Sequence, residues 1–238
     1  MQARRFLGKL QPVVGFQPQD VFHHRVISLF YRAWAVNQQA VSYEQAGADR
    51  IAEYVASFFG DGMESMHERD SVPFTSKLHY SGRLAGSARN AEGLEAVLQD
   101  YFQIRTHVET FVGEWIDLPG DSICRLGESR RTGTVGRTAI VGSRIWECQY
   151  KFRIIMGPMG YEDYQRMLPG GPSLRRLIDW VKNYAGLELA WDVQLILKKE
   201  EVPAAQLGKS GRLGWSTWTK AKPLMRDADN LILNPREN

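Results

Sequence analysis

Cysteine is nearly absent: the 238 residues hold two, Cys124 and Cys148, 24 positions apart and in no CxxC spacing. That excludes a disulfide framework and offers no zinc pattern, so reduced thiols of a cytosolic protein are expected. Long apolar runs are missing too, with no window approaching 18 uninterrupted apolar residues, which leaves no candidate membrane-spanning helix. The start MQARRFLGKL carries charge but no apolar stretch of signal-peptide length, so export by that route is not expected. Catalytic signatures are equally scarce, since no G-x-S-x-G elbow, H-E-x-x-H helix or D-x-D calcium loop occurs. His23 and His24 are adjacent, so a regular helix points them in different directions and they cannot chelate one metal. His79 and His107 have no serine or cysteine partner in sequence, and Asp117, Asp121 and Glu128 read as solvated loop acids. The expectation is a protein with no cofactor, no metal and no catalytic residues: a binding or structural part, not an enzyme.

What the chain does have is aromatic residues and unevenly placed charge. A hydrophobic share of 43% and a charged share of 24% are those of a globular protein, while 7 Trp beside 9 Tyr and 10 Phe is a generous count. Rigid rings give contact area at little entropic cost, and surplus ones often end at interfaces. Net charge is only +3. Yet Asp121 to Arg153 holds seven Lys/Arg against three acids, and Lys198 to Arg226 seven against two. Both stretches are glycine-rich, a pattern that solvated loops give more often than nucleic-acid clefts do.

Periodicity gives the coarse architecture. Phe22, Val26, Leu29, Phe30 and Ala33 form the stripe of an amphipathic helix over Val21 to Trp34. A second helix is expected from Ala48 to Phe59, stopped by Gly60, and a third carries Leu94, Val97, Leu98, Tyr101 and Phe102 with Asn90 or Ser87 as cap. The period then changes. Ile104, Thr106, Val108, Thr110 and Val112 alternate with charged residues, as do Tyr150, Phe152, Ile154 and Met156, a run that ends at Gly157-Pro158. Helices at Tyr161 to Leu168 and from a Ser173 cap to Gly186 follow, then a strand through Leu189, Trp191, Val193, Leu195 and Leu197. The order predicts an α+β fold with a helical N-terminal half, residues 1–102, and a mixed half, residues 103–238, with two long loops at about 118–142 and 203–219.

Two short motifs need weighing. Gly208-Lys209-Ser210 ends like a phosphate-gripping P-loop, but the first glycine of G-x-x-x-x-G-K-[ST] is replaced by Pro203, which has no amide hydrogen to offer. Gly211 and Gly214 also stand where a helix should begin, so the nucleotide reading fails. Gly133-Thr134-Val135-Gly136 matches the GxxG clamp of KH domains. The Thr, Val and Ile around it favour turn or strand over the two helices that clamp joins. Arg130, Arg131, Arg137 and Arg144 suit phosphates or acidic protein patches alike, which keeps nucleic-acid binding through residues 130–144 as the alternative.

Six ordered blocks carry a resemblance: FHHRVISLFYRAW (22–34), LHYSGRLAG (78–86), VGSRIWECQYKFRIIMGPM (141–159), YQRMLPGG (164–171), ELAWDVQLILKKEEVP (188–203) and LGWSTW (213–218). Over about Phe16 to Leu233 the chain resembles the TssG family, also called ImpH or VasB, of type VI secretion baseplates. The resemblance implies a structural subunit in which one TssG joins two TssF chains in a wedge. It also implies neighbouring TssE and hub proteins, and two extended loops that each dock a TssK trimer. Such a protein works in the cytoplasm, at a baseplate docked on the inner-membrane complex, without nucleic acid or membrane insertion. Family members carry more sequence before the FHHR helix, so a shortened N-terminal region is expected here. The stretches 118–142 and 203–219 fit the docking loops. In the first, Arg130, Arg131, Val135, Arg137 and Ile140 are the expected contacts. In the second they are Arg212, Leu213, Trp215 and Trp218, with the two tryptophans alternatively covering the domain's own core.

Overall fold

The computed structural model describes residues 18–44, 50–125, 127–128, 130–204, 211–218 and 224–235. They form two compact units, Met1–Val55 and Ala56–Asn238. The first contains α1 (Pro18–Val36), α2 (Gln39–Glu44) and the start of α3 (Arg50–Ser57). The expected stripe is there, and α1 runs slightly beyond it at both ends.

The second unit holds α4 (Phe74–His79), α5 (Ser81–Leu84), α6 (Ala91–Phe102), β1 (Thr106–Glu109), β2 (Glu114–Asp117), β3 (Arg144–Glu147), β4 (Lys151–Met159), α7 (Tyr161–Met167), α8 (Pro172–Ala185), β5 (Ala190–Leu197) and β6 (Ala228–Leu233). The fold is α+β, as expected. The compact units divide at 55/56, while the change from helical to mixed structure falls after α6.

A four-stranded sheet runs in the order β1-β4-β5-β6. The β4-β5 pair is parallel, bridged by α7 and α8, and the outer pairs are antiparallel. Register explains the alternation seen in sequence, because side chains change face at each residue. Thr106, Met156, Leu195 and Leu231 line up across all four strands and are buried. His107, Ile155, Gln194 and Ile232 form the adjacent row on the other face, and Ile232 stays 47% exposed. Against the inner face lie Leu94, Val97 and Leu98 of α6 and Leu174, Leu177, Trp180, Val181 and Tyr184 of α8. Burying each such side chain fully contributes roughly 1.5–3 kcal/mol before entropy is counted.

Local chemistry sets the ends. Asn90 caps α6 by accepting from the Gly93 amide at 3.0 Å. Ser173 is not the cap of α8: Gly171 is, with Pro172 at the first helical position, where its missing N–H has no intrahelical partner to lose. Strand β4 does not end at Gly157-Pro158 but continues to Met159 through an irregularity in its pairing with β5 between Met156 and Met159. Between α3 and α6, a segment with little periodicity is fixed by charge. The Lys77 ammonium is buried between Asp61 at 2.8 Å and Asp70 at 2.9 Å. Asn183 of α8 donates to Asp70 at 2.7 Å, and the Ser71 amide donates to Asp179 at 2.8 Å.

Candidate protein-binding surfaces

The first long loop is the tip of a hairpin. Strands β2 and β3 pair antiparallel as a separate two-stranded ribbon, and residues 118–143 join them. Trp115 stands directly opposite Trp146, with ring centroids 5.3 Å apart in an edge-on arrangement. Both rings are more than half exposed. At the outer end Asp117 meets Arg144 at 2.6 Å, and the Leu118 amide donates to Ser143 at 2.8 Å. At the base, Glu114 and Glu147 are paired like charges, which is costly unless each finds compensation. Glu114 takes the Lys151 ammonium at 3.0 Å, and Glu147 accepts the backbone amides of Cys148 and Gln149.

Within the tip, one turn is built on Thr134. Its carbonyl accepts from the amides of Arg137, Thr138 and Ala139, and its hydroxyl donates to the Arg130 carbonyl at 2.7 Å. The GxxG tetrapeptide therefore lies in the loop of a β-hairpin and not between two helices. Val135 is 87% exposed and Val141 98%. Ile140, Arg130, Arg131 and Arg137 are exposed as well. All five first-loop candidates are thus exposed in the loop of this hairpin, and its strands carry the exposed pair Trp115 and Trp146, which sequence reasoning left out.

The second loop is described over Gly211–Trp218, while Gly208-Lys209-Ser210 lies outside the described residues. Gly211 and Gly214 have φ of 101° and 84°, angles that L side chains rarely adopt, and they bracket Arg212-Leu213. Arg212 is the internal anchor: it donates to the Pro169 carbonyl at 2.6 Å, and its own carbonyl accepts from the amides of Trp215 and Ser216. The Arg212 guanidinium lies 5.9 Å from the Trp215 ring. Trp215 and Trp218 are half-buried against the unit's core. The Trp218 ring lies 5.7 Å from that of Tyr164, and its Nε1 donates to Asn230 at 3.2 Å. Leu213 is 93% exposed, and Arg212, though tied to Pro169, is exposed as well.

Helix α1 offers a third surface. Phe22, Val26, Leu29, Ala33 and Val36 follow one another at alternating steps of four and three, and all are exposed. Ile27, Phe30 and Trp34 repeat the three-four spacing beside them, and they too are exposed. Each series is a heptad seam of the kind that packs on another helix. Two adjacent seams are broader than the single stripe the sequence showed.

A groove of about 240 Å³ lies beside the hairpin base. Leu94, Val108, Phe111, Phe152 and Tyr184 give it an apolar lining. Its cations are engaged: Arg89 donates to the carbonyls of Arg83 and Leu84, and Lys151 is held by Glu114 and Asp192. Among the described residues, no three His, Cys, Asp or Glu side chains gather at metal-holding distance, and no helix is long and apolar enough to cross a membrane.

Fold and surfaces define a class: a mixed-sheet α+β protein carrying an exposed hairpin arm. The family model for type VI secretion TssG matches residues 19–220, and the chain belongs to that family. One chain in the cryo-electron microscopy structure of the type VI secretion TssK-TssF-TssG baseplate subcomplex shares the fold, with a TM-score of 0.68 and 20% identity. That match covers 90% of this chain and 88% of the other. A chain of the type VI secretion baseplate complex gives a TM-score of 0.61 at 18% identity, over 94% of this chain and 61% of its own length. No curated protein matches.

Proposed function

We propose that this protein is a structural wedge subunit of a type VI secretion baseplate, acting through protein contacts and not catalysis. Its α1 packs with TssF, and its two loops dock the TssK adaptor. The observation that carries the reading is the placement of exposed apolar side chains on three separate elements of a TssG-family chain. The two seams of α1 suit two partner helices, one from each of two TssF copies, because a helix in a three-helix bundle must cover both flanks of its apolar arc. On the hairpin, Val135, Ile140 and Val141 supply apolar contact area, and Arg130, Arg131 and Arg137 supply forked donors for carboxylates. In the second loop Leu213 is the contact residue. Arg212, Trp215 and Trp218 act behind it by holding the turn against α7.

On this reading the chain works in the cytoplasm, at a baseplate docked on the inner-membrane complex, next to TssE and the hub. Co-expression with TssF and TssK tests the reading. Enrichment of both partners on tagged chain is expected, and failure to enrich either one overturns it. Binding that instead required nucleic acid and fell steeply with salt would support the alternative carried by the tip arginines.

A further inference from the structure

The hairpin ladder is separate from the sheet, but both of its strands run on into the sheet's β1 and β4. Strands β1 and β4 are paired with Glu109 opposite Arg153, and β2 and β3 with Glu114 opposite Glu147. Residues 110–113 therefore face residues 148–152, four against five. The chain thus passes from the sheet ladder to the hairpin ladder through an uneven stretch, with one extra residue on the returning strand, in which the Val112 amide donates to the Lys151 carbonyl. This stretch is marked by Phe111, an exposed aromatic residue at φ 61°, where a bulky side chain seldom sits. Four paired residues per strand give a ribbon that is marginal alone in water. Something must hold it at the joint.

Lys151 spans that joint. Its carbonyl accepts the Val112 amide at 3.0 Å. Its ammonium reaches Glu114 at 3.0 Å on the hairpin side and Asp192 of β5 at 3.3 Å on the sheet side. Asp192 is 2% exposed and is fixed in turn by Arg153 through two donors, at 2.6 and 2.9 Å. On the opposite strand Trp146 lies so close to Gly113 that a Cβ there would stand 1.9 Å from its Cζ2. Burial pulls the Lys151 pKa down, but Glu114 and Asp192 outweigh it, so the strut stays charged.

We infer that the chain of ion pairs Glu114–Lys151–Asp192–Arg153 is a positioning clamp that fixes the direction in which the hairpin leaves the sheet. Lys151 is its strut. This goes beyond the docking role, because it sets the hairpin's direction whether or not a partner is bound. Without the strut, the hairpin keeps its own ladder and its tryptophan pair but swings about Phe111.

Spin labels at Val135 and at Arg175 on α8, in a chain with Cys124→Ser and Cys148→Ser, read that direction as a distance distribution. Lys151→Met and Glu114→Gln are expected to lose the narrow distribution of the parent, and Lys151→Arg to keep it. Glu114→Gln leaves Asp192 paired with both cations, so it reports on the strut even where Lys151→Met fails to fold. The exciton signal of Trp115 and Trp146 in far-ultraviolet circular dichroism is expected to persist in each folded variant. An unchanged distribution in folded Glu114→Gln overturns the proposal. Loss of the tryptophan signal together with the narrow distance overturns it too, since the hairpin would then be melting and not swinging.

Discussion

The Tyr164 hydroxyl donates to the Trp215 carbonyl at 2.9 Å, tying α7 to the second loop in the same place where the Tyr164 and Trp218 rings meet. Tyr164 is itself fully buried. A core tyrosine thus holds the turn from which Leu213 projects.

Tyr164→Phe removes the donor and keeps the ring, so it is expected to cost about 0.5–1.5 kcal/mol. The loss should be concentrated at the loop. Hydrogen exchange of the Trp215 and Ser216 amides, both bonded to the Arg212 carbonyl, is expected to quicken more than that of β4 or β5. Equal protection in the variant would show that the tryptophans hold the loop unaided.

Lys77 sits 3% exposed between two carboxylates. Lys77→Met leaves Asp61 and Asp70 facing each other without a cation, and breaking a buried pair in this way costs on the order of 3–5 kcal/mol. Urea unfolding of the intact chain measures it. Adding Asp61→Asn and Asp70→Asn to the same chain should recover part of the loss, because the damage comes from uncompensated charge and not from lost packing.

Alkaline pH should weaken the fold by a definite route. Burial and then Asp100 push the Tyr80 phenol well above its ordinary 10.0, and burial does the same for Tyr164. For Lys77 burial lowers the pKa, but Asp61 and Asp70 more than reverse this and leave it above 10.5. Lys151 is likewise raised. All four groups hold their proton more tightly in the folded chain. Their stabilisation is therefore complete below the unfolded-state values near 10.0 and 10.5 and is lost as pH rises through the folded-state values. The urea midpoint is expected to be unaffected by these groups at pH 7 to 9 and to fall above about 10. Absorbance of ionised tyrosine should show part of the nine residues titrating only with unfolding. A constant midpoint to pH 11 would contradict this.

Much of the core was legible before the structure, because period-2 and period-3.6 patterns report burial on one face. The stripes of α6 and α8 and the alternation in β1, β4 and β5 follow from this, whereas the equally periodic stripe of α1 is exposed; Asn90 was one of two caps the sequence offered for α6. What stayed hidden is short or charge-driven. Four-residue strands such as Glu114–Asp117 and Arg144–Glu147 have too few residues to show a period, and their pairing spans a loop that no local rule closes. Strand β6 follows a glycine-rich stretch and pairs at long range. The Asp192 clamp was invisible because its members come from three strands. Among the exposed apolar residues, Val135, Ile140 and Leu213 were readable as apolar residues in basic loops. For Trp215 and Trp218 the sequence left partner contact and core cover both open, since an aromatic residue looks the same in sequence whether it packs inward or outward.

The seams of α1 give a separable prediction. Phe30→Glu and Val26→Glu each put a charge into one seam and should greatly reduce TssF recovery, with the thermal unfolding of residues 56–238 unchanged. Ser28→Glu, on the side of the helix opposite both seams, should leave recovery intact. Equal loss in all three variants would mean that net charge, and not the apolar seams, governs the contact.

The central claim is that one chain holds TssF through α1 and TssK through its two loops. Site-specific photo-crosslinking in the assembled complex tests it most directly, with the photoreactive residue placed in turn at Phe30, Val135 and Leu213. Adducts to TssF are expected from position 30 and to TssK from positions 135 and 213. Adducts to TssK from position 30, or to TssF from both loops, would contradict it.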